Sequence, residues 1–170
     1  IASSLVGSEM CIRDRDFRMS NDFGKRISIE EVEEGNTFTP KFDENGLIPV
    51  ITVEDSTSEI LMHGYSNSEA LLKSIESMEA HYWSRSRKKL WKKGETSGLT
   101  QSIKKILIDD DQDCLIYRVD IGGLGASCHV GYKSCFYRAL DGKDSLTFTE
   151  TEKVFDPEVI YEGQENPTKL

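Results

Sequence analysis

Two short apolar runs set the first limit on what this chain can fold into. Leu47–Val53 (LIPVITV) and Glu59–Tyr65 (EILMHGY) stand on either side of the polar turn Asp55–Ser58. Runs of that length and composition, joined by four polar residues, are a β-hairpin signature. A helix follows, capped by Ser66 or Asn67, with Ala70, Leu71, Leu72, Ile75 and Met78 near helical spacing. Strand-like composition returns at Ala80–Trp83, Ser102–Ile108, Cys114–Val119 and Ser134–Ala139, with Gly122, Gly123 and Gly125 between the last two. One main helix among about six strands with hairpin-length links predicts an α+β domain, predominantly antiparallel β-sheet.

A chain of 170 residues suits one ordinary domain. The organised part spans residues 42–140, preceded by an N-terminal extension, 19–41, and followed by an acidic, loosely attached tail, 141–170. Residues 1–18 have no helical or strand period and no secretory pattern, and read as a non-native or disordered tract with Met19 as the start. Thirty acidic residues against 21 basic ones give a net charge of −9, which disfavours a general nucleic-acid binder. The absence of an apolar run of about 18 residues speaks against a membrane span.

Three clusters carry chemistry. Between positions 85 and 93 lie six of the 21 basic residues, interleaved with Trp83 and Trp91 and followed by Gly94-Glu95-Thr96-Ser97-Gly98. In an acidic chain this is a local positive field next to a glycine-bracketed loop, suited to a phosphate. Asp109, Asp110, Asp111 and Asp113 repel one another unless a cation is shared. In an extended segment Asp109, Asp111 and Asp113 point to one face and suit magnesium; a solvated acidic turn is the alternative. Cys128-His129 with Cys135, and Cys114 upstream, offer thiolates and an imidazole for zinc; ordinary buried cysteines are the alternative.

Gly46-Leu47-Ile48-Pro49, Tyr82-Trp83-Ser84-Arg85-Ser86-Arg87, Leu90-Trp91, Lys93-Gly94-Glu95-Thr96-Ser97-Gly98, Cys128-His129-Val130-Gly131-Tyr132 and Ser134-Cys135-Phe136-Tyr137-Arg138 occur in this order. Together they resemble the phosphoribosyl-AMP cyclohydrolases over roughly residues 40–140. The resemblance implies a cytoplasmic homodimer of histidine biosynthesis that opens the adenine ring of 1-(5-phosphoribosyl)-AMP between N1 and C6. It implies zinc, with ligands drawn from both subunits, and magnesium. Carried onto this chain, Cys128 and Cys135 are zinc ligands and Asp109, Asp111 and Asp113 hold magnesium. His129 exchanges protons, and Arg85, Arg87, Lys93, Thr96 and Ser97 contact phosphate. The family carries a cysteine where this chain has Asp110, and Cys114 lies four residues on, so the third zinc ligand is Asp110, Cys114, or water or another group. A reading of another class is a non-catalytic, metal-stapled module that binds a phosphorylated ligand or single-stranded RNA.

Overall fold

The computed structural model describes residues 23–166 and 168; the expectation for residues 1–18 lies outside them. The elements run α1 (Ile29–Glu34), β1 (Ile48–Glu54), β2 (Ile60–Ser66), α2 (Ser68–Ser77), β3 (His81–Ser84), β4 (Lys89–Lys92), β5 (Gln101–Ile108), β6 (Leu115–Ile121), β7 (Arg138–Asp141), β8 (Ser145–Phe148) and α3 (Pro157–Ile160). The fold is α+β, with more strand than helix.

The predicted hairpin is β1–β2, antiparallel, with Val50 opposite Gly64. It lies in a four-stranded sheet of order β2-β1-β6-β5. All pairings are antiparallel except β1–β6, which run parallel with Val50 opposite Leu115. Ile48, Val50, Leu61, Leu115, Tyr117 and Val119 fill the core with Leu71 of α2. Asn67 caps α2 by accepting from the Ala70 N–H, satisfying a donor that the first helical turn leaves unpaired. The buried stripe is Ala70, Leu71 and Ser74; Ile75 and Met78, expected on it, are exposed.

Two elements depart from expectation at the site end of the molecule. The second half of the basic segment is itself a strand, β4, paired with β3 through Tyr82 opposite Trp91 and Trp83 opposite Leu90, and Arg85 to Lys88 form the turn between them. The Lys93 N–H then donates to Ala80 O and the Ala80 N–H to Gln101 O, stitching this hairpin to the start of β5. The strand expected at Ser134–Ala139 begins only at Arg138 and pairs with β8.

The flanking segments are packed rather than peripheral. Phe23, Phe38 and Phe42 pack on the core, and the buried Gln112 side chain joins residues of the 19–41 extension to the acidic turn. Its Oε1 accepts from the Thr39 N–H, and its Nε2 donates to Val32 O and Thr37 O. At the other end, the segment read as a loose tail is anchored: Phe155 is buried against Leu99 and Ala126, and the Val154 N–H donates to Gly131 O. The sequence hid this because one apolar anchor among many polar residues has no period.

Candidate active site

The β2 strand, the β3–β4 hairpin, the Gly94–Gly98 loop and the turn at residues 127–129 enclose a cleft of about 820 Å³. Of the expected site residues, Arg85, Arg87, Lys93, Thr96, Ser97, His129 and Cys135 all line it. Positions as far apart as 85 and 135 therefore line one cleft.

The arginines are held by aromatic faces. The Arg85 guanidinium lies 4.0 Å from the centre of the Tyr65 ring, and that of Arg87 lies 5.7 Å from Trp91. Arg87 also donates from Nε to Ser84 Oγ at 3.2 Å. Such stacking fixes a planar cation without neutralising it. Within 4 Å neither guanidinium meets a carboxylate among the described residues, so both charges remain available to an anion.

Lys93 differs. It is 4% exposed and donates from Nζ to Ser127 O at 2.8 Å. Burial pulls its pKa down, and the nearby sulfurs of Cys135 and Cys128 pull it up. One of its three N–H donors is thus spent on the backbone, and the charge sits deep in the cleft beside the thiols.

Cys128 is buried, whereas Cys135 keeps surface open to the cleft despite the protein atoms crowding it. The two thiols hydrogen-bond to each other. The bond from Cys135 lowers the Cys128 thiol to about 6 against the cost of burial; the Val130 and Tyr132 backbone and the Lys93 charge contribute in the same direction. Cys135 is pushed up correspondingly, first by that bond and then by burial. Two sulfurs in contact, one disposed to be a thiolate, make a donor set that fits a soft metal ion. His129 lines the same cleft, half-buried, and burial together with the Lys93 charge holds its pKa below the ordinary histidine value.

The acidic step is not extended. Residues 110–112 turn, with Gln112 at φ 60°, and the Asp109 carboxylate accepts from the Asp113 and Cys114 N–H groups. Asp111 and Asp113 share the Lys41 ammonium, at 2.9 and 3.1 Å. The carboxylates that approach one another are those of Asp109, Asp110 and Asp111, within 4.8 Å. This corrects the expected face of Asp109, Asp111 and Asp113, because a turn rather than a strand sets their directions. Clustered hard oxygen donors suit magnesium, with Asp111 of the cluster also bonded to Lys41.

Neither the acidic turn nor Cys114 lines the cleft. The β5–β6 pairing explains why. Gln101 opposite Ile121 marks its cleft end, and Ile108 opposite Leu115 marks the end that carries the acidic turn. The eight residues of β5, at roughly 3.3 Å each, separate the two ends by about 25 Å. Within one chain, neither Asp110 nor Cys114 is brought to Cys128 and Cys135.

The cleft also holds residues that the sequence does not assign to the site. His63 and Tyr65 face it from β2, their rings edge-to-face at 5.0 Å. Burial and the Arg85 charge lower the His63 pKa. The alternation of β2 was the available signal, since it puts positions 63 and 65 on one face. Ser127 lines it as well, and so do Pro157, Glu158, Tyr161 and Asn166 from the segment read as a tail.

A family model described as phosphoribosyl-AMP cyclohydrolase matches residues 62–137. Curated proteins named phosphoribosyl-AMP cyclohydrolase are similar over most of their length. One from Methanoregula boonei is 54% identical over 121 residues, covering 71% of this chain and 93% of the relative. Two from Rhodopseudomonas palustris strains HaA2 and BisA53 are each 47% identical; the matches cover 79% and 84% of this chain and 93% and 99% of the relatives.

Proposed function

The chain belongs to the phosphoribosyl-AMP cyclohydrolase family, and from that premise we propose that it hydrolyses the N1–C6 bond of 1-(5-phosphoribosyl)-AMP. Water adds its oxygen at C6, which becomes the carboxamide carbon. The C6–N1 bond breaks, and N1 gains a proton in the formimino-carboxamide ribotide of histidine biosynthesis. The observation that carries this reading is the single cleft that gathers Arg85, Arg87, Thr96, Ser97, His129 and Cys135. As enzymes, the relatives displace the non-catalytic module considered from the sequence.

The chain's own groups divide the work. Arg85 and Arg87, pre-oriented on Tyr65 and Trp91, bind phosphate together with the Thr96 and Ser97 hydroxyls. Lys93 offers its remaining donors from the floor of the cleft, beside the thiols. His129 is placed to take the proton of the attacking water and return it to N1 as the ring opens.

Cys128 and Cys135 would hold zinc, which when bound lowers the pKa of a coordinated water towards about 7. Asp109 and Asp111, with Asp113 or Asp110, would hold magnesium against the substrate's phosphate charge. Because about 25 Å of β5 separates the acidic turn from the thiols, the third zinc ligand, Asp110 or Cys114, comes from a second copy of the chain. The working enzyme is then a homodimer. Among the described residues no helix is long and apolar enough to cross a membrane, and the family's biosynthetic role supports a place in the cytoplasm.

The test is absorbance-monitored ring opening of phosphoribosyl-AMP by the zinc- and magnesium-loaded protein, with and without chelator. Turnover that the chelator abolishes is expected. A metal-loaded, folded protein without turnover overturns the reading.

A further inference from the structure

Every polar atom of Ser127 that can accept or donate through the protein is engaged from a different direction. Its N–H donates to Lys133 O at 2.8 Å, its carbonyl accepts from Lys93 Nζ at 2.8 Å, and its Oγ accepts from Gln101 Nε2 at 3.1 Å. Gln101 is buried, 26 residues away in sequence, and belongs to a polar chain that runs into the core.

The proton directions along that chain follow from Met62. A thioether sulfur accepts and never donates. Met62 Sδ lies 3.5 Å from the Gln101 amide nitrogen, which therefore is the end that faces both the sulfur and Ser127. Gln101 Oε1 consequently faces Tyr82 and accepts its hydroxyl hydrogen at 2.7 Å. With that hydrogen committed, the Tyr82 oxygen accepts from Thr52 Oγ1, also at 2.7 Å. At the other end the Ser127 oxygen is fixed as an acceptor, so its own hydrogen has to point elsewhere. Among the described residues none receives it, and Ser127 lines the cleft beside His129 and Cys135.

We propose that Ser127 is a preset hydrogen-bond donor to the oxygen entering at C6, and that Gln101 is the positioning residue that presets it. This rests on the ring-opening reading above. A donor whose orientation is fixed before substrate arrives stabilises the charge that develops on that oxygen without reorganising at the moment of reaction. Gln101 and Thr52 lie outside the cleft lining, and with the buried Tyr82 hydroxyl they keep the Ser127 hydroxyl from turning inward.

The experiment compares wild type, Ser127→Ala, Gln101→Glu and the double variant as metal-loaded full chains. It measures kcat, KM, bound zinc and thermal unfolding. Glutamate keeps the shape of glutamine but only accepts when ionised, so it draws the Ser127 hydrogen inward. Loss of one such donor lowers kcat about 10²- to 10³-fold. Both single variants should show a loss of that order with zinc content and KM little changed, and the double variant should be no worse than Ser127→Ala. If the buried carboxylate of Gln101→Glu prevents folding, Gln101→Met removes the directing amide without a charge and should lose turnover less steeply. Wild-type turnover together with an equally fast Ser127→Ala overturns this inference alone, as do single losses that multiply in the double variant or zinc lost in step with kcat. A wild type without turnover overturns the functional reading as well.

Discussion

The Gly94–Gly98 loop offers a matched pair of substitutions whose outcomes the structure separates. Both glycines sit at positive φ, +83° and +71°, and the loop closes on itself with the Gly98 N–H donating to Gly94 O at 2.9 Å. An alanine in that conformation costs about 1–2 kcal/mol, of which the stiffer unfolded chain returns part, leaving about 1 kcal/mol. At Gly98 that is the whole cost, because an added Cβ meets nothing within 4 Å. At Gly94 the Cβ would stand 2.5 Å from Thr100 N and 2.6 Å from Leu99 C, backbone atoms that cannot swing aside. Forcing them apart adds about 1–3 kcal/mol, for a total of about 2–4 kcal/mol. At about 3 °C per kcal/mol for a chain of this size, Gly98→Ala lowers Tm by about 3 °C and Gly94→Ala by about 6–12 °C. The displaced backbone carries Thr96 and Ser97, which line the cleft. Losing one hydrogen bond to a phosphate, about 1.5 kcal/mol, raises KM about tenfold in Gly94→Ala and leaves Gly98→Ala near wild type. Thermal unfolding followed by circular dichroism, with steady-state kinetics on the same preparations, measures both. A Gly98→Ala variant as damaged as Gly94→Ala in Tm or KM would show that the Cβ clash at Gly94 does not separate the two positions.

Replacing His129 with alanine should cut kcat by about 10² to 10⁴ with zinc content unchanged; parallel loss of zinc in metal analysis would make it a ligand instead. Cys128→Ser should lose zinc, and of Asp110→Ala and Cys114→Ser only the variant that removes the third ligand should follow it, as metal stoichiometry measured side by side will show. Lys133 donates to Glu54 at 2.8 Å and Glu59 at 2.7 Å, and the Lys133 bond is the main cause that holds Glu54 below its ordinary 4.5. That contribution is present above the ordinary glutamate range and is lost as pH falls through the lowered folded value, so Lys133→Met should cost stability at pH 7 and flatten the acid side of a denaturation-against-pH curve. A variant whose acid dependence matches wild type would remove this pair from the account.

Much of the fold was legible because it is local. The β1 and β2 runs, the Asn67 cap and the stripe at Ala70 and Leu71 each signal within a few residues. The parallel seam between β1 and β6 has no such signal; nothing in Val50 or Leu115 announces that they face each other across 65 positions. The site was legible in residue types and less so in geometry. Arg85, Arg87, Thr96, Ser97, His129 and Cys135 do share a cleft, but Lys89–Lys92 was hidden as a strand because charge masks its alternation. The acidic run was assigned strand directions although Gln112, at positive φ, makes it a turn. Gln101 and Ser127 escaped notice altogether, since neither is remarkable as a residue type and only folding puts 3.1 Å between them.

The proposed addition of water across the N1–C6 bond takes place in the cleft that holds Arg85, Arg87 and His129. It is tested most directly by running the metal-loaded enzyme on phosphoribosyl-AMP in water enriched in heavy oxygen and analysing the product by mass spectrometry. The expected product is a ring-opened ribotide carrying one heavy oxygen, located in the carboxamide group. A product without the label, or a folded and metal-loaded protein that returns the substrate unchanged, would contradict the proposed addition.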